Sequence, residues 1–436
     1  AALGVLSGTD LNCGDQYEGL VEAVRQGLIS EEEIDVVAER LMLARMKLGM
    51  FDPDEMLPWS AYPVDTLAAE PHKEVAREMA RKSMVLLKND RNTLPISKEL
   101  KRVAVIGPNA HNVDVQNGNY NGTPVAPVSV LDGIRAKLGP DAEVRYAQGS
   151  PHHSGLPYLS AIPSEVLFTS AEMDEQGLKA SFFPNLTSEG TAVLQRTDAN
   201  IDYYWWDGEP PVDGLTDDDY SVEWSGYLVP RKSGTHAIGA NGKYFQVFFE
   251  GETLIEHHNI HHPNKVYRNV ELVAGKAYEI KVIMQDEHGD SNCTLHWEEP
   301  GMPLAWEALQ AARWADHVIL IMGLTARLEG EEMRGLELDG FNAGDRTSLD
   351  LPAVQQSLIR QIAATGKPVT LVLMTGSAVS IVREQAMVPA ILQAWYGGEA
   401  AGEAVADVLF GDYKPAGRLP LTFYRSVEDL PPFENY

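Results

Sequence analysis

The period of the hydrophobic positions changes along the chain, and each change marks a different kind of element. Ile34, Val37, Ala38, Leu41, Ala44 and Leu48 recur at helical intervals up to Gly49, behind Ser30-Glu31-Glu32-Glu33, which has capping-box spacing. Residues 52–71 carry Pro53, Pro58, Pro63 and Pro71 and few periodic apolar positions, so they read as a linker. A second helix is expected over 72–88. From Val103-Ala104-Val105-Ile106-Gly107 to about 150, and again from about 303 to 424, short unbroken apolar runs alternate with helical patterns such as Val354 to Ala364. The unbroken run is Val318 to Gly323, and the later strands include Val369 to Met374 and Ala390 to Ala394. Unbroken apolar runs are what parallel strands covered on both faces require, so the pattern predicts an α/β domain. Between its halves the period drops to two, in Tyr203-Tyr204-Trp205-Trp206, Tyr244 to Phe249 and Tyr278 to Ile283, separated by Gly, Pro and Asp turns. That pattern predicts an all-β insert in an α/β host.

The run ending at Gly323 is followed by Leu328-Glu329-Gly330-Glu331-Glu332-Met333, then by Gly344-Asp345-Arg346-Thr347 and Leu351-Pro352. Ligand loops in parallel sheets leave the carboxyl ends of the strands, so these carboxylates are the first candidates for chemistry. At 436 residues the chain is too long for one ordinary core, and two or three domains are expected. A formal net charge of -28 argues against a nucleic-acid partner and for a neutral or cationic ligand. No window approaches the roughly 18 apolar residues of a membrane span, so no membrane partner is expected. Two cysteines, Cys13 and Cys293, define neither a disulfide framework nor a zinc site. The opening Ala1-Ala2-Leu3-Gly4 has neither an initiator Met nor a signal-like segment; it reads as a cut, and the compartment stays unread.

A series of ordered segments resembles glycoside hydrolase family 3. Gly8-Thr9-Asp10-Leu11-Asn12-Cys13-Gly14 resembles the last barrel strand of the xylosidase-like branch, and Arg45 to Asp52 the helix end that closes that barrel. Ser83 to Asp90, Ala104 to Ala110, and finally Trp395-Tyr396-Gly397-Gly398-Glu399 with Gly411 to Pro420, are similar to the family's sandwich domain. The insert resembles a protective-antigen-type β-sandwich through Gly177 to Phe183, Val222 to Pro230, Gly234-Thr235-His236 and Leu295-His296-Trp297. Asn241-Gly242-Lys243-Tyr244 departs from that sandwich's Asp-rich turn, which argues against calcium or independent sugar binding by the insert. The resemblance implies the last strand and helix of a (β/α)₈ barrel over 1–52, a linker over 53–71, and an α/β sandwich domain over 72–160 and 303–436. That domain is interrupted by the β-sandwich over 165–300.

The implied activity is that of a retaining, exo-acting β-glucosidase releasing terminal glucose from β-glucosides and cello-oligosaccharides. A β-xylosidase of the same family and a non-catalytic carbohydrate-binding fragment are the alternatives. Such an enzyme needs a nucleophilic carboxylate and a protonated carboxylic acid roughly 5–5.5 Å apart. Matching the Glu-Gly-Glu-Glu-Met segment to the family pattern puts the general acid/base at Glu331, with neighbouring Glu329 and Glu332 still open. Crowded carboxylates raise one another's pKa, which favours a protonated acid, although a solvated acidic loop has the same composition. Asp345 and Arg346 suit either an ion pair supporting the loop or contact with a sugar hydroxyl, and support is favoured. Asp10 suits orientation of neighbours more than catalysis. The family's nucleophile, an Asp on the preceding barrel strand, is not in this chain, nor are the barrel's Arg and Lys-His sugar ligands. The chain alone is therefore expected to be inactive without a barrel segment, whether in the same or a separate chain. The equivalent of Cys13 pairs in that branch with a Cys beside the nucleophile; a buried free thiol is the alternative.

No cofactor is implied, and the partners are a β-linked oligosaccharide or aryl glucoside and the barrel segment, with homodimerisation left open. Periplasmic or secreted location is favoured by the resemblance alone. His257-His258 and His261-His262 have metal-ligand spacing, but Asn259 and Pro263 argue for a loop and no metal is assigned. Ile106 to Ala110 lacks G-x-G-x-x-G, against a nucleotide loop. Trp205 and Trp224 are expected in the core of the insert.

Overall fold

The computed structural model describes residues 1–436 apart from 64–65, 158, 206–207, 209, 259–265, 290, 302–303, 331–332, 334–336 and 436. Two compact units divide it, Ala1–Glu74 and Val75–Tyr436.

In the first unit the long helix Glu31–Lys47 starts from a complete capping box. Ser30 Oγ accepts the Glu33 N–H while the Glu33 carboxylate accepts the Ser30 N–H, which satisfies two orphaned donors. Val37 of this helix packs with Val5, Ala23 and Ile29 in a small core. The expected last barrel strand does not form: Ala2–Leu6 is α-helical, and residues 7–14 join no ladder. A strand exists by hydrogen bonding to a neighbour, and this unit offers none among the described residues. The expected linker contains the 3₁₀ turns Asp54–Met56 and Pro58–Ala61. Asp10 forms an exposed pair with Arg40 at 2.8 Å, and Cys13 is an exposed free thiol rather than a buried one.

The second unit is organised by a six-stranded sheet. Its spatial order is Val85–Asn89, Ala390–Gln393, Val369–Met374, His317–Gly323, Arg102–Ile106 and Glu143–Ala147. The last five are parallel, and the edge strand Val85–Asn89 is antiparallel to its neighbour. The helix expected over 72–88 is Glu70–Ser83 instead. Beyond it, pairing with Ala390–Gln393 overrides a helical pattern that is only a weak prior. His317–Gly323 and Val369–Met374 are buried at every position. Val105, Ile319, Ile321 and Val372 face one core and Ala104, Val318, Leu320 and Leu371 the other, which is why these strands show no polar alternation.

From Arg102–Ile106 the chain passes to Glu143–Ala147 on one side; from His317–Gly323 it passes to Val369–Met374 on the other. The order therefore reverses between these two strands, and the crevice at their carboxyl ends is where such sheets bind ligands. Gly323 ends its strand at φ +146°, and a Cβ there would lie 1.8 Å from the Met374 carbonyl oxygen, so only glycine lets the loop depart at this separation.

Residues 160–298 hold two antiparallel sheets whose inner faces share one core. One contains Val266–Leu272, Gly234–Asn241, Ser291–Glu298, Ser160–Ala161 and Asp202–Trp205; the other centres on Tyr278–Asp286 and Tyr220–Leu228. Trp224 is fully buried and donates to Asp198 at 2.8 Å, while Trp205 is half-buried and stacked on Tyr203. His257 and His258 end the strand Glu252–His258 instead of lying in a loop, and their side chains therefore alternate between faces; His261 and His262 lie outside the described residues. Among the described residues no helix is long and apolar enough to cross a membrane.

Candidate active site

The candidate segment begins where the central strand ends. Leu328 and Glu329 both donate their N–H to the Thr325 carbonyl, at 2.9 and 3.1 Å, and burial of Leu328 turns the chain so that Glu329 points back over the sheet. Its carboxylate meets two other strand ends. Oε1 accepts the Gly376 N–H at 2.8 Å and the Tyr396 hydroxyl at 2.6 Å, and Oε2 accepts the Ser377 hydroxyl at 2.6 Å. Gly376 and Ser377 follow Val369–Met374, and Tyr396 follows Ala390–Gln393. Burial, and then the adjacent Glu329 carboxylate, raise the Tyr396 pKa well above the ordinary phenol value, so the hydroxyl remains a donor.

Arg346 closes the far end of the segment on the same residue. Nη1 donates to Ser377 Oγ at 2.9 Å and to the Ala378 carbonyl at 2.6 Å, Nε to the Ser348 carbonyl at 3.1 Å and Nη2 to the Asp350 carbonyl at 3.2 Å. Burial lowers the guanidinium pKa, and the Glu329 carboxylate acts in the opposite direction. The Ser377 hydroxyl thus accepts from Arg346 and donates to Glu329, joining both ends of the segment 329–346. Between them, Met333 donates its N–H to the Ala343 carbonyl at 2.9 Å. Gly344, at φ +94°, packs where a Cβ would lie 2.0 Å from the Gly330 carbonyl oxygen.

Glu329 and Arg346 are brought together through the Ser377 hydroxyl. Asp345 is exposed, and the guanidinium of Arg346 is directed to carbonyls and Ser377 rather than to Asp345. Glu331 and Glu332 lie outside the described residues. A cavity of about 570 Å³ adjoins the segment, with Glu329, Asp345, Arg346, Ser377, Thr422 and Tyr424 among its walls. Asp10 lies in the other unit. Among the described residues no group of three or more His, Cys, Asp or Glu is placed to hold a metal.

Further supports had no assigned role in the sequence. Gln355 grips the strand end, accepting the Gly323 N–H at 2.9 Å and donating to the Gly323 carbonyl at 2.7 Å and the His152 carbonyl at 2.9 Å. His153 accepts the Gly155 N–H on Nδ1, so its Nε2 donates to the Asp339 carbonyl, at 2.8 Å. Ser377 and Tyr396 carry a usable signal: both sit immediately after apolar runs, at the carboxyl ends of parallel strands.

Residues 84–436 match the Glycosyl hydrolase family 3 C-terminal domain. A xylan 1,4-beta-xylosidase of Xylanibacter ruminicola is 33% identical over 99% of this chain and 50% of its own length. A beta-glucosidase of Rhizobium radiobacter is 30% identical over 95% of the chain and 49% of its own length, so the chain spans about half of each of these relatives. Beta-glucosidase from Kluyveromyces marxianus, solved in complex with glucose, superposes with a TM-score of 0.66 at 23% identity, covering 98% of this chain and 52% of that one, a likeness of fold. With four-fifths of its length matched by that domain, and those relatives aligned over nearly all of it, the chain belongs to glycoside hydrolase family 3.

Proposed function

We propose that the chain is the C-terminal portion of a retaining, exo-acting β-glucosidase, and that Glu331 is its general acid/base. The observation that supports this most directly is the closure of the segment 329–346 on Ser377 at the carboxyl end of the sheet. Glu329 is already engaged by three donors there, which leaves the next carboxylates along the segment for chemistry. In the first step the carboxylic acid of Glu331 gives its proton to the glycosidic oxygen as the aglycone leaves. An Asp from a barrel segment outside these 436 residues attacks the anomeric carbon and forms a glycosyl ester. In the second, the Glu331 carboxylate takes a proton from water as that water attacks the anomeric carbon, releasing sugar and Asp. The residues 165–300 form, in this reading, a protective-antigen-type insert. No cofactor takes part.

A second reading, β-xylosidase, is favoured by the 33% identity to the Xylanibacter ruminicola enzyme. Comparing kcat/KM on nitrophenyl β-glucoside and β-xyloside, in the full-length polypeptide that carries these residues, separates the two. The 436-residue chain by itself is expected to hydrolyse neither. In the full-length polypeptide Glu331→Gln is expected to lower hydrolysis of unactivated glycosides by roughly 10²–10⁴-fold, the usual worth of a general acid. Unchanged hydrolysis in that variant would remove Glu331 from the mechanism. Sugar binding without hydrolysis by the complete protein would bring forward the non-catalytic alternative.

A further inference from the structure

We infer that Tyr396 and Ser377 are positioning residues for the general acid, acting through Glu329; the inference rests on the reading of Glu331 above. Neither residue is placed to react: the Tyr396 hydroxyl and the Ser377 hydroxyl are both directed at the Glu329 carboxylate, at 2.6 Å each. Glu329 is joined to Glu331 through the single residue Gly330, so the anchored carboxylate stands at the start of the stretch that carries the acid.

The segment around Tyr396 is built to hold position. Trp395 has φ +60°, a left-handed conformation that a bulky side chain adopts only when its surroundings impose it. Its indole N–H donates to the Ser83 carbonyl at 3.0 Å, and its ring meets Phe423 edge to face at 6.1 Å. Strain of this kind gathers where a side chain must be aimed, and the side chain aimed here is that of Tyr396. Three residues further on, Glu399 accepts the Val125 N–H at 3.3 Å and the Ala126 N–H at 3.2 Å, while the Gly398 N–H donates to the Gln116 carbonyl at 2.8 Å. Residues 395–399 therefore tie the loop that leaves the central strand to the loop that leaves Arg102–Ile106, the two loops flanking the crevice of the sheet.

On the other side of Glu329, Ser377 is shared with Arg346. Losing its hydroxyl would leave one carboxylate oxygen and one guanidinium N–H without this partner, and would release the two ends of the segment from each other. Tyr396→Phe removes a different donor from the other oxygen. If the two residues act through one carboxylate, both variants must produce the same kinetic signature.

Leaving-group dependence gives that signature. A misaligned acid slows departure of a basic alkoxide or sugar and leaves departure of dinitrophenolate, which needs no proton, nearly unchanged. In the full-length polypeptide, Tyr396→Phe and Ser377→Ala are each expected to lower kcat/KM on a methyl or disaccharide glycoside by about ten- to a hundredfold, the scale of a small misplacement. On the 2,4-dinitrophenyl glycoside of the same sugar, kcat/KM should stay within about twofold. Glu331→Gln is run alongside. A selective loss in Glu331→Gln with an even loss, or none, in the other two overturns the positioning role and keeps the acid assignment. Absence of selectivity in Glu331→Gln itself overturns the acid assignment, and the inference with it. Two independent variants guard against one failing to fold, which thermal unfolding of each reports.

Discussion

At one end of the six-stranded sheet Asp407 lies among cations, with Arg77 at 2.7 Å, Lys137 at 2.5 Å and Arg81 at 3.4 Å, whereas at the other Glu329 is met by a phenol, a serine hydroxyl and a backbone N–H. The topology explains the placement. Helices Val130–Leu138 and Ala401–Leu409 run back from the strands' carboxyl ends, so their last turns, with Lys137 and Asp407, fall at the amino end. Lys137 also reaches Asp412, which Lys98 contacts from outside. Burial pulls the Lys137 ammonium down, but its bonds to the two carboxylates outweigh this and leave it above its ordinary value. The amino end thus ties helices together with charges that are costly to separate. At the carboxyl end Glu329 is met by neutral donors, with Arg346 reaching it through Ser377; each such bond is worth less to folding than a buried ion pair, but its direction is fixed. Stability and aim are assigned to opposite ends.

That division breaks most openly with Asp407→Ala. Deleting a carboxylate that is 1% exposed removes the partner that three cations share, and denaturant unfolding should show a loss of about 3–5 kcal/mol. A loss no larger than that of Tyr396→Phe would end the contrast. Next in size is an acid effect at the same end of the sheet. His317 opens the central strand, hydrogen-bonds Thr370 at 2.9 Å, and is lowered by burial to about 4. The unfolded chain takes up this proton near pH 6.5 and the native state does not, so stability is full above that pH and falls as pH drops towards 4. The fall amounts to roughly 3 kcal/mol, and thermal unfolding against pH should show it shrink in His317→Gln. Smallest are Tyr396→Phe and Ser377→Ala, each expected to cost about 1.5–3 kcal/mol in folding, the worth of one hydrogen bond to a charged group. Losses of the size expected for Asp407→Ala would make the carboxyl end a stability element as well.

Much of the sheet was readable because its chemistry is local. The runs Val318 to Gly323 and Val369 to Met374 are apolar on both faces, and that alone marks strands of a covered sheet. The carboxylate segment after Gly323 was found by the same reasoning. What Glu329 does was not readable, because its partners are 47 to 67 positions away and are chosen by strand order. Val85 to Lys88 was misread as helix for a related reason: the pairing partner of this strand is Ala390–Gln393. The segment Gly8 to Gly14 resembled a barrel strand through its residue types, yet a strand is a relation between two segments and cannot form from one. Within residues 160–298, by contrast, the alternation over Tyr278 to Ile283 falls inside the strand Tyr278–Asp286, where every second residue faces the core.

The closure of residues 329–346 on one serine hydroxyl makes this stretch an interval whose two ends are held by the sheet beneath. Ordering a longer interval of this kind costs only about 0.6 kcal/mol per doubling of its length. Insertions and deletions between the two anchors are therefore cheap, while the anchors keep the flanks in register with the sheet. Diversification within such a scaffold has an obvious place to occur: by changes of length between Met333 and Ala343, beyond the proposed acid, with the strands beneath left as they are.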